Sequence, residues 1–159
     1  MARFAPPLAG VLPLLVSSAL AGHVFSAAPR DAVPVLSDEI AYWNQVAAFE
    51  HAGMRGGYHT VNEVPSRAGF SRFGPHGPAF PVLYRSFSRL FGWRAYSRPL
   101  ISGVLLTPAA AWWCAVIGAR WWGAASLATF WPLILYLPTT MQEPLHLAIA
   151  LALAALVGP

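Results

Sequence analysis

Asp38 and Glu39 stand side by side behind Ser37, and they are the only adjacent carboxylates among the chain's six acids. A carboxylate pair in that setting has two uses. It can take a proton or a cation, or it can open a helix, since acids behind a serine cap sit at the positive end of the helix dipole. Arg85 and Arg89, four positions apart, share one face of any helix that contains them. That geometry suits anchoring at lipid headgroups or holding a phosphate through charge-assisted hydrogen bonds. Glu143 precedes Pro144, where it can begin a helix, and His146 follows one turn into an apolar run, where an imidazole needs a packing or hydrogen-bonding reason. His51, His59 and His76 match no zinc spacing.

Other chemistry is excluded by composition. All ten basic residues are arginine, which removes Schiff-base catalysis, a phosphate-binding loop ending in GK[ST] and any lysine base. Cys114 is the only cysteine; it can form neither a disulfide within the chain nor a four-ligand zinc site of the cysteine type, and it reads as a small packing residue. The net charge of +4 is spread among prolines, glycines and aromatics, unlike a nucleic-acid arm, so no nucleic-acid partner is expected.

These residues must be positioned by apolar elements. Pro99 to Ala119 carries no charge and is closed by Arg98 and Arg120; as a helix it spans about 30 Å, the hydrocarbon thickness of a bilayer. Leu8 to Ala28 and Trp121 to Gln142 are also uncharged, and Pro144 to Pro159 is apolar apart from His146. The 57% hydrophobic, 10% charged composition and mean hydropathy of +0.52 lie far from the soluble norm of about one quarter charged residues. The expected fold is therefore all-α, a polytopic transmembrane helical bundle. Its parts are an N-terminal helix within 1–28, a long loop over 29–98, and hydrophobic helices over 99–119, 121–137 and 144–159.

The N-terminal segment has two readings. Arg3, the Leu8–Gly22 run and the small residues Ser26, Ala27 and Ala28 resemble a cleavable signal peptide, but cleavage there would leave Pro29 at the new terminus. The retained, signal-anchor reading is preferred, with Pro13 as a tolerable kink. Parity then places the breaker segment from Pro138 to Pro144 on the same side as the long loop. Pro144 to Pro159 would reach only about 24 Å as a helix, so the chain reads as the N-terminal part of a longer membrane protein or as a truncated product.

Within the loop, Ser37 is expected to cap a surface helix over about 38–52, stopping at Gly53, with Ile40, Trp43, Val46, Ala47 and Phe49 at helical spacing. Gly53 to Pro81 has too much glycine and proline for a helical or strand period. A second, amphipathic surface helix is expected over about 80–92. Arg85, Arg89, Arg94 and Arg98 outnumber Arg3 and Arg120, which by the positive-inside count would put the loop in the cytoplasm. That rule weakens for loops beyond about 60 residues.

The order of the motifs SDEIAYW, GPHGPAFPVLY, RLFGW, RPLISGVLL and MQEPLHLAIAL, behind one N-terminal hydrophobic helix, resembles the start of a GT-C membrane glycosyltransferase. The nearest kind is that of the protein O-mannosyltransferases and aminoarabinose transferases. The resemblance runs from Leu8 to the end of the chain and rests on motif order more than on any single motif. It implies a multi-pass enzyme of the cell (inner or plasma) membrane, with the loop extracytoplasmic, moving a sugar from a polyprenyl-phosphate carrier to an acceptor. It implies that Asp38 or Glu39 is the catalytic carboxylate or holds a divalent cation, Mg or Mn. By the same resemblance, Arg85, Arg89, His76, Glu143 and His146 would bind the lipid phosphate and donor; His76, Gly77 and Pro78 match the family's HPP-like lead into a surface helix. Such a fragment would be inactive on its own. The alternatives are a small non-catalytic multi-pass protein, such as an assembly subunit whose loop docks a partner, and a defunct remnant of the enzyme.

Overall fold

The computed structural model of the protein describes residues 5–26, 31, 33–34, 36–62, 67–71, 77–119 and 121–158. Helix α1, Ala5–Phe25, contains Pro13 and packs against α4, Ser97–Val116, and α5, Trp121–Thr129. The α1–α4 crossing is set by missing side chains. A Cβ on Gly10 would lie 2.2 Å from Thr107 Cα, and one on Gly103 would lie 2.8 Å from Leu14 Cδ2. Position numbers rise along α1 as they fall along α4, so the helices are antiparallel, and small residues let their backbones approach closely.

Helix α4 ends short of the expected Ala119. Gly118 takes φ +64, its N–H bonds to Ala115 O, and Ala119 N–H reaches Cys114 O at 2.8 Å, a six-to-one closure that needs a left-handed residue. The chain reverses at once, and Gly123 of α5 comes so close that a Cβ there would lie 3.0 Å from Cys114 Sγ. Cys114 is buried in the core, in the packing role expected of it.

The segment expected as one helix over 121–137 is two. α5 stops at Thr129, Phe130 takes ψ 100, and α6 runs over Trp131–Tyr136. Pro132 is the reason: in a continuous helix it would have no N–H for the Ala128 carbonyl and its ring would clash with that carbonyl, whereas in the first turn of α6 the missing N–H costs nothing. Helix α7, Glu143–Val157, carries Pro144 in its first turn, where the missing N–H loses nothing. It packs against α4 and α6.

Among the described residues two helical stretches, Leu8–Phe25 and Ser97–Val116, are long and apolar enough to cross a bilayer, and α7 is shorter. Their shared core joins Ala9, Leu106, Ala110, Cys114, Leu127, Leu137 and Leu151. Trp121, Trp122 and Trp131 stay exposed, as does Trp112, a distribution suited to an interfacial belt.

Between α1 and α4 lie α2, Ser37–Ala52, a 3-10 turn at Gly53–Arg55, the strands β1, Tyr58–Asn62, and β2, Arg67–Ser71, and α3, Ala79–Phe91. The strands pair antiparallel, Tyr58 opposite Ser71 and Asn62 opposite Arg67. The described residues are otherwise helical, as the all-α expectation has it, and this one hairpin lies in a stretch whose sequence has no strand period. Strand pairing there is a cross-chain property that alternation within one strand does not record.

Helix α3 buries Phe80, Pro81, Tyr84 and Ser88, the i, i+4, i+8 face of an amphipathic helix. Phe80 stacks on Tyr84 at 4.2 Å and meets Tyr42 of α2 at 5.4 Å. With Val46, Ile101 and Leu145 these rings form a second core. It seats α2 and α3 on the N-terminal ends of α4 and α7.

Candidate functional site

Three elements converge on one carboxylate. Glu39 lies in the first turn of α2, and its Oε1 accepts from Arg98 Nη1 at 2.5 Å, from Thr140 N–H at 2.8 Å and from Thr140 Oγ1 at 3.2 Å. Oε2 reaches back to the Leu36 N–H at 3.4 Å. Leu36, not Ser37, occupies the N-cap position, so the expected serine cap is replaced by the glutamate's own reach to the helix start. Glu39 and Arg98 are each 1% exposed, and Thr140 is fully buried.

The charge arrangement explains why these partners meet. Arg98 sits in the first turn of α4, where the helix dipole repels a cation, and it is enclosed by apolar structure, where a lone charge is costly. A carboxylate at contact distance offsets both penalties. Arg98 Nε donates to Ala95 O at 3.1 Å, and its guanidinium lies 5.4 Å from the centre of the Trp43 ring. The Trp43 and Trp93 rings meet at a tilt with centroids 4.7 Å apart, and Trp93 Nε1 donates to Trp43 O at 3.3 Å. Trp43 thus adds a cation–π contact to the Arg98 side of the node.

Thr140 belongs to the breaker segment between α6 and α7, so that segment and the polar stretch of the chain meet at this point. Two residues on, Gln142 is buried and its Nε2 has no hydrogen-bond acceptor among the described residues.

The other residues expected at the site are not gathered there. Asp38, beside Glu39 in sequence, is exposed. Arg85 is half-buried and pairs with Glu50 at 3.4 Å, an intra-loop bridge between α3 and α2. Arg89 is exposed one turn further on, and Glu143 and His146 are exposed on the first turn of α7. His76 lies outside the described residues. Arg98, Thr140 and Trp43 were not expected as site residues. The signal for Arg98 was its position, because an arginine in the first turn of an apolar helix demands a counter-charge.

An open apolar groove of about 380 Å³ runs between α3, α4 and α7, lined by Leu83, Leu105, Pro108, Trp112, Leu145 and Ile149 among others. Asp38 and Glu39 are not among its lining residues. Beside it, Tyr84 Oη and Ser102 Oγ are 2.9 Å apart. Burial pushes the Tyr84 phenol up to about 12, against a smaller lowering by the Ser102 hydrogen bond.

Glu39 is not placed to hold a divalent cation. Glu39 Oε1 is already taken by a guanidinium and two Thr140 donors, and among the described residues no three histidine, cysteine or acidic side chains come together. The same bonds leave Glu39 Oε1 closed to an incoming group. Asp38 has no such competitor among the described contacts and is the carboxylate open to an incoming group.

Comparisons of the chain with family models, curated proteins and solved structures give no match.

Proposed function

We propose that the chain forms the first outer loop, with its flanking membrane helices, of a multi-pass glycosyltransferase that takes a sugar from a polyprenyl-phosphate carrier at the outer face of the membrane. The observation that supports this reading is the division of labour within the acidic pair. Glu39 is consumed by Arg98 and Thr140, and Asp38 is left exposed on the same helical turn.

In this reading Asp38 accepts the proton of the acceptor's hydroxyl or amine while the acceptor atom attacks the anomeric carbon. The bond from that carbon to the phosphate oxygen breaks, its electron pair stays on the phosphate, and the sugar inverts. Proton removal and stabilisation of the departing phosphate are the two needs of such a transfer. Arg89, exposed on the amphipathic helix α3, would supply the cation for the second. The apolar groove below α3 has the lining an isoprenoid chain requires.

The test is Asp38→Asn in the intact membrane protein, assayed by release of polyprenyl phosphate from polyprenyl-phosphate mannose and related sugar donors. Loss of turnover with normal membrane insertion supports the reading; wild-type turnover in Asp38→Asn overturns it. A second reading, a non-catalytic subunit whose loop docks a partner, is favoured by one observation, the separation of both carboxylates from the groove.

A further inference from the structure

We infer that Glu39 is a positioning residue, and that the Glu39–Arg98–Thr140 node is a joint that sets where Asp38 stands relative to α4 and α7. The inference rests on the transferase reading only for what Asp38 does, not for the joint itself.

Three observations carry it. The partners of Glu39 come from elements far apart in sequence, 59 positions away for Arg98 and 101 for Thr140. All three side chains are buried, so water does not compete for these bonds. Replacing a buried ion pair by apolar residues of similar size is often neutral or favourable for stability, so stability alone does not account for the arrangement. What the pair does supply is a fixed geometry. Asp38 is the next residue along the same turn of α2, so its backbone cannot shift without moving Glu39 off Arg98.

The other bonds of that turn are local: Leu36 O accepts from the Glu39 and Ile40 N–H groups at 3.1 and 3.4 Å, which does not tie the turn to α4 or α7. Leu36 N–H to Glu39 Oε2, at 3.4 Å, uses the same side chain, and the cap residue has no side-chain acceptor of its own. Removal of the Glu39 charge therefore releases the helix start and leaves the rest of α2 held by Tyr42 and Val46 in the second core.

The experiment places nitroxide labels at Asp38→Cys and His146→Cys in a Cys114→Ala chain held in lipid nanodiscs, and reads the distance distribution by pulsed EPR. Both labelled positions are exposed, on α2 and α7. With Glu39 present a single narrow distribution is expected. Glu39→Gln should abolish that narrow peak. Should Glu39→Gln fail to fold because Arg98 is left without a counter-charge, Glu39→Gln with Arg98→Met removes both charges and should lose the narrow peak in a folded protein. A narrow distribution that survives in either variant overturns the inference.

Activity separates the joint from the chemistry. With cysteines absent, Glu39→Gln should lower kcat about a hundredfold, the scale of an ångström's misplacement of a reacting group, with the KM for polyprenyl-phosphate mannose unchanged. An unaltered kcat would overturn the positioning role. Wild-type turnover in Asp38→Asn together with a lost narrow peak in Glu39→Gln would remove the transferase reading and keep the joint; inactive Asp38→Asn with an unmoved distribution would do the reverse.

Discussion

The hydroxyl of Ser17 in α1 donates to the carbonyl of Ile134 in α6 at 2.7 Å, with both groups buried. In a continuing helix Ile134 O would receive the N–H of the residue four places on. That residue is Pro138, which has none. Ser17 therefore completes from another helix a bond that α6 cannot make for itself, and ties the two across 117 positions.

Ser17→Ala leaves that carbonyl unsatisfied. The expected loss is about 1 kcal/mol, the usual scale of such a bond in membrane proteins and in water, read as a lower midpoint in chemical or thermal unfolding of the detergent-solubilised protein. A Ser17→Ala midpoint equal to wild type would show that Ile134 O has another donor.

Gly10→Ala should be worse than its size suggests. The added methyl would sit 2.2 Å from the Thr107 backbone, and neither helix can yield without opening the α1–α4 contact. Overpacking of this kind costs roughly 1–3 kcal/mol. Gly10→Leu should separate the helices, visible as loss of an engineered disulfide between α1 and α4 that forms readily in the parent.

The buried ion pair predicts non-additivity. Arg98→Met alone leaves Glu39 as a buried charge without its cation and should destabilise by about 3–5 kcal/mol. Glu39→Gln combined with Arg98→Met should recover most of that loss. Additive single effects would mean that the charges do not act as a pair.

Tyr84 gives a pH dependence with a defined sign. Its phenol titrates near 12 in the folded protein against 10.0 for the free group, so between those values the unfolded chain gives up a proton that the folded chain keeps. Stability from this group is complete below about pH 10 and is lost as pH rises through 12, by up to about 3 kcal/mol. Tyr84→Phe should flatten this fall in the unfolding midpoint and remove a tyrosinate absorbance that otherwise develops only in strong alkali.

The proposed sidedness predicts that a reporter inserted at Gly56, next to the 3-10 turn, reads as extracytoplasmic. A cytoplasmic reading would remove the sugar donor from reach of Asp38 and with it the proposed reaction.

Much of this architecture is local and therefore readable from one chain. The long uncharged run that follows Arg98 forms α4, because an apolar stretch of that length must satisfy its backbone hydrogen bonds within itself wherever water is excluded. Gly53 ends α2 for a similarly short-range reason, whereas the Phe80, Tyr84 and Ser88 face that α3 buries is fixed only by packing in the second core. Pro132 also announced the break between α5 and α6, yet the uniform hydrophobicity of Trp121 to Leu137 masked it.

The site was different in kind. Sequence marked Asp38 and Glu39 as a pair and could not separate them, since adjacent residues on a helix start have the same dipole and the same cap. It marked Arg98 only as a border of an apolar segment. Tertiary structure alone decided that Glu39 turns inward to Arg98 and Thr140 and that Asp38 turns out. The reason is that a buried charge is stabilised by partners at contact range, and those partners are 59 and 101 residues away along the chain.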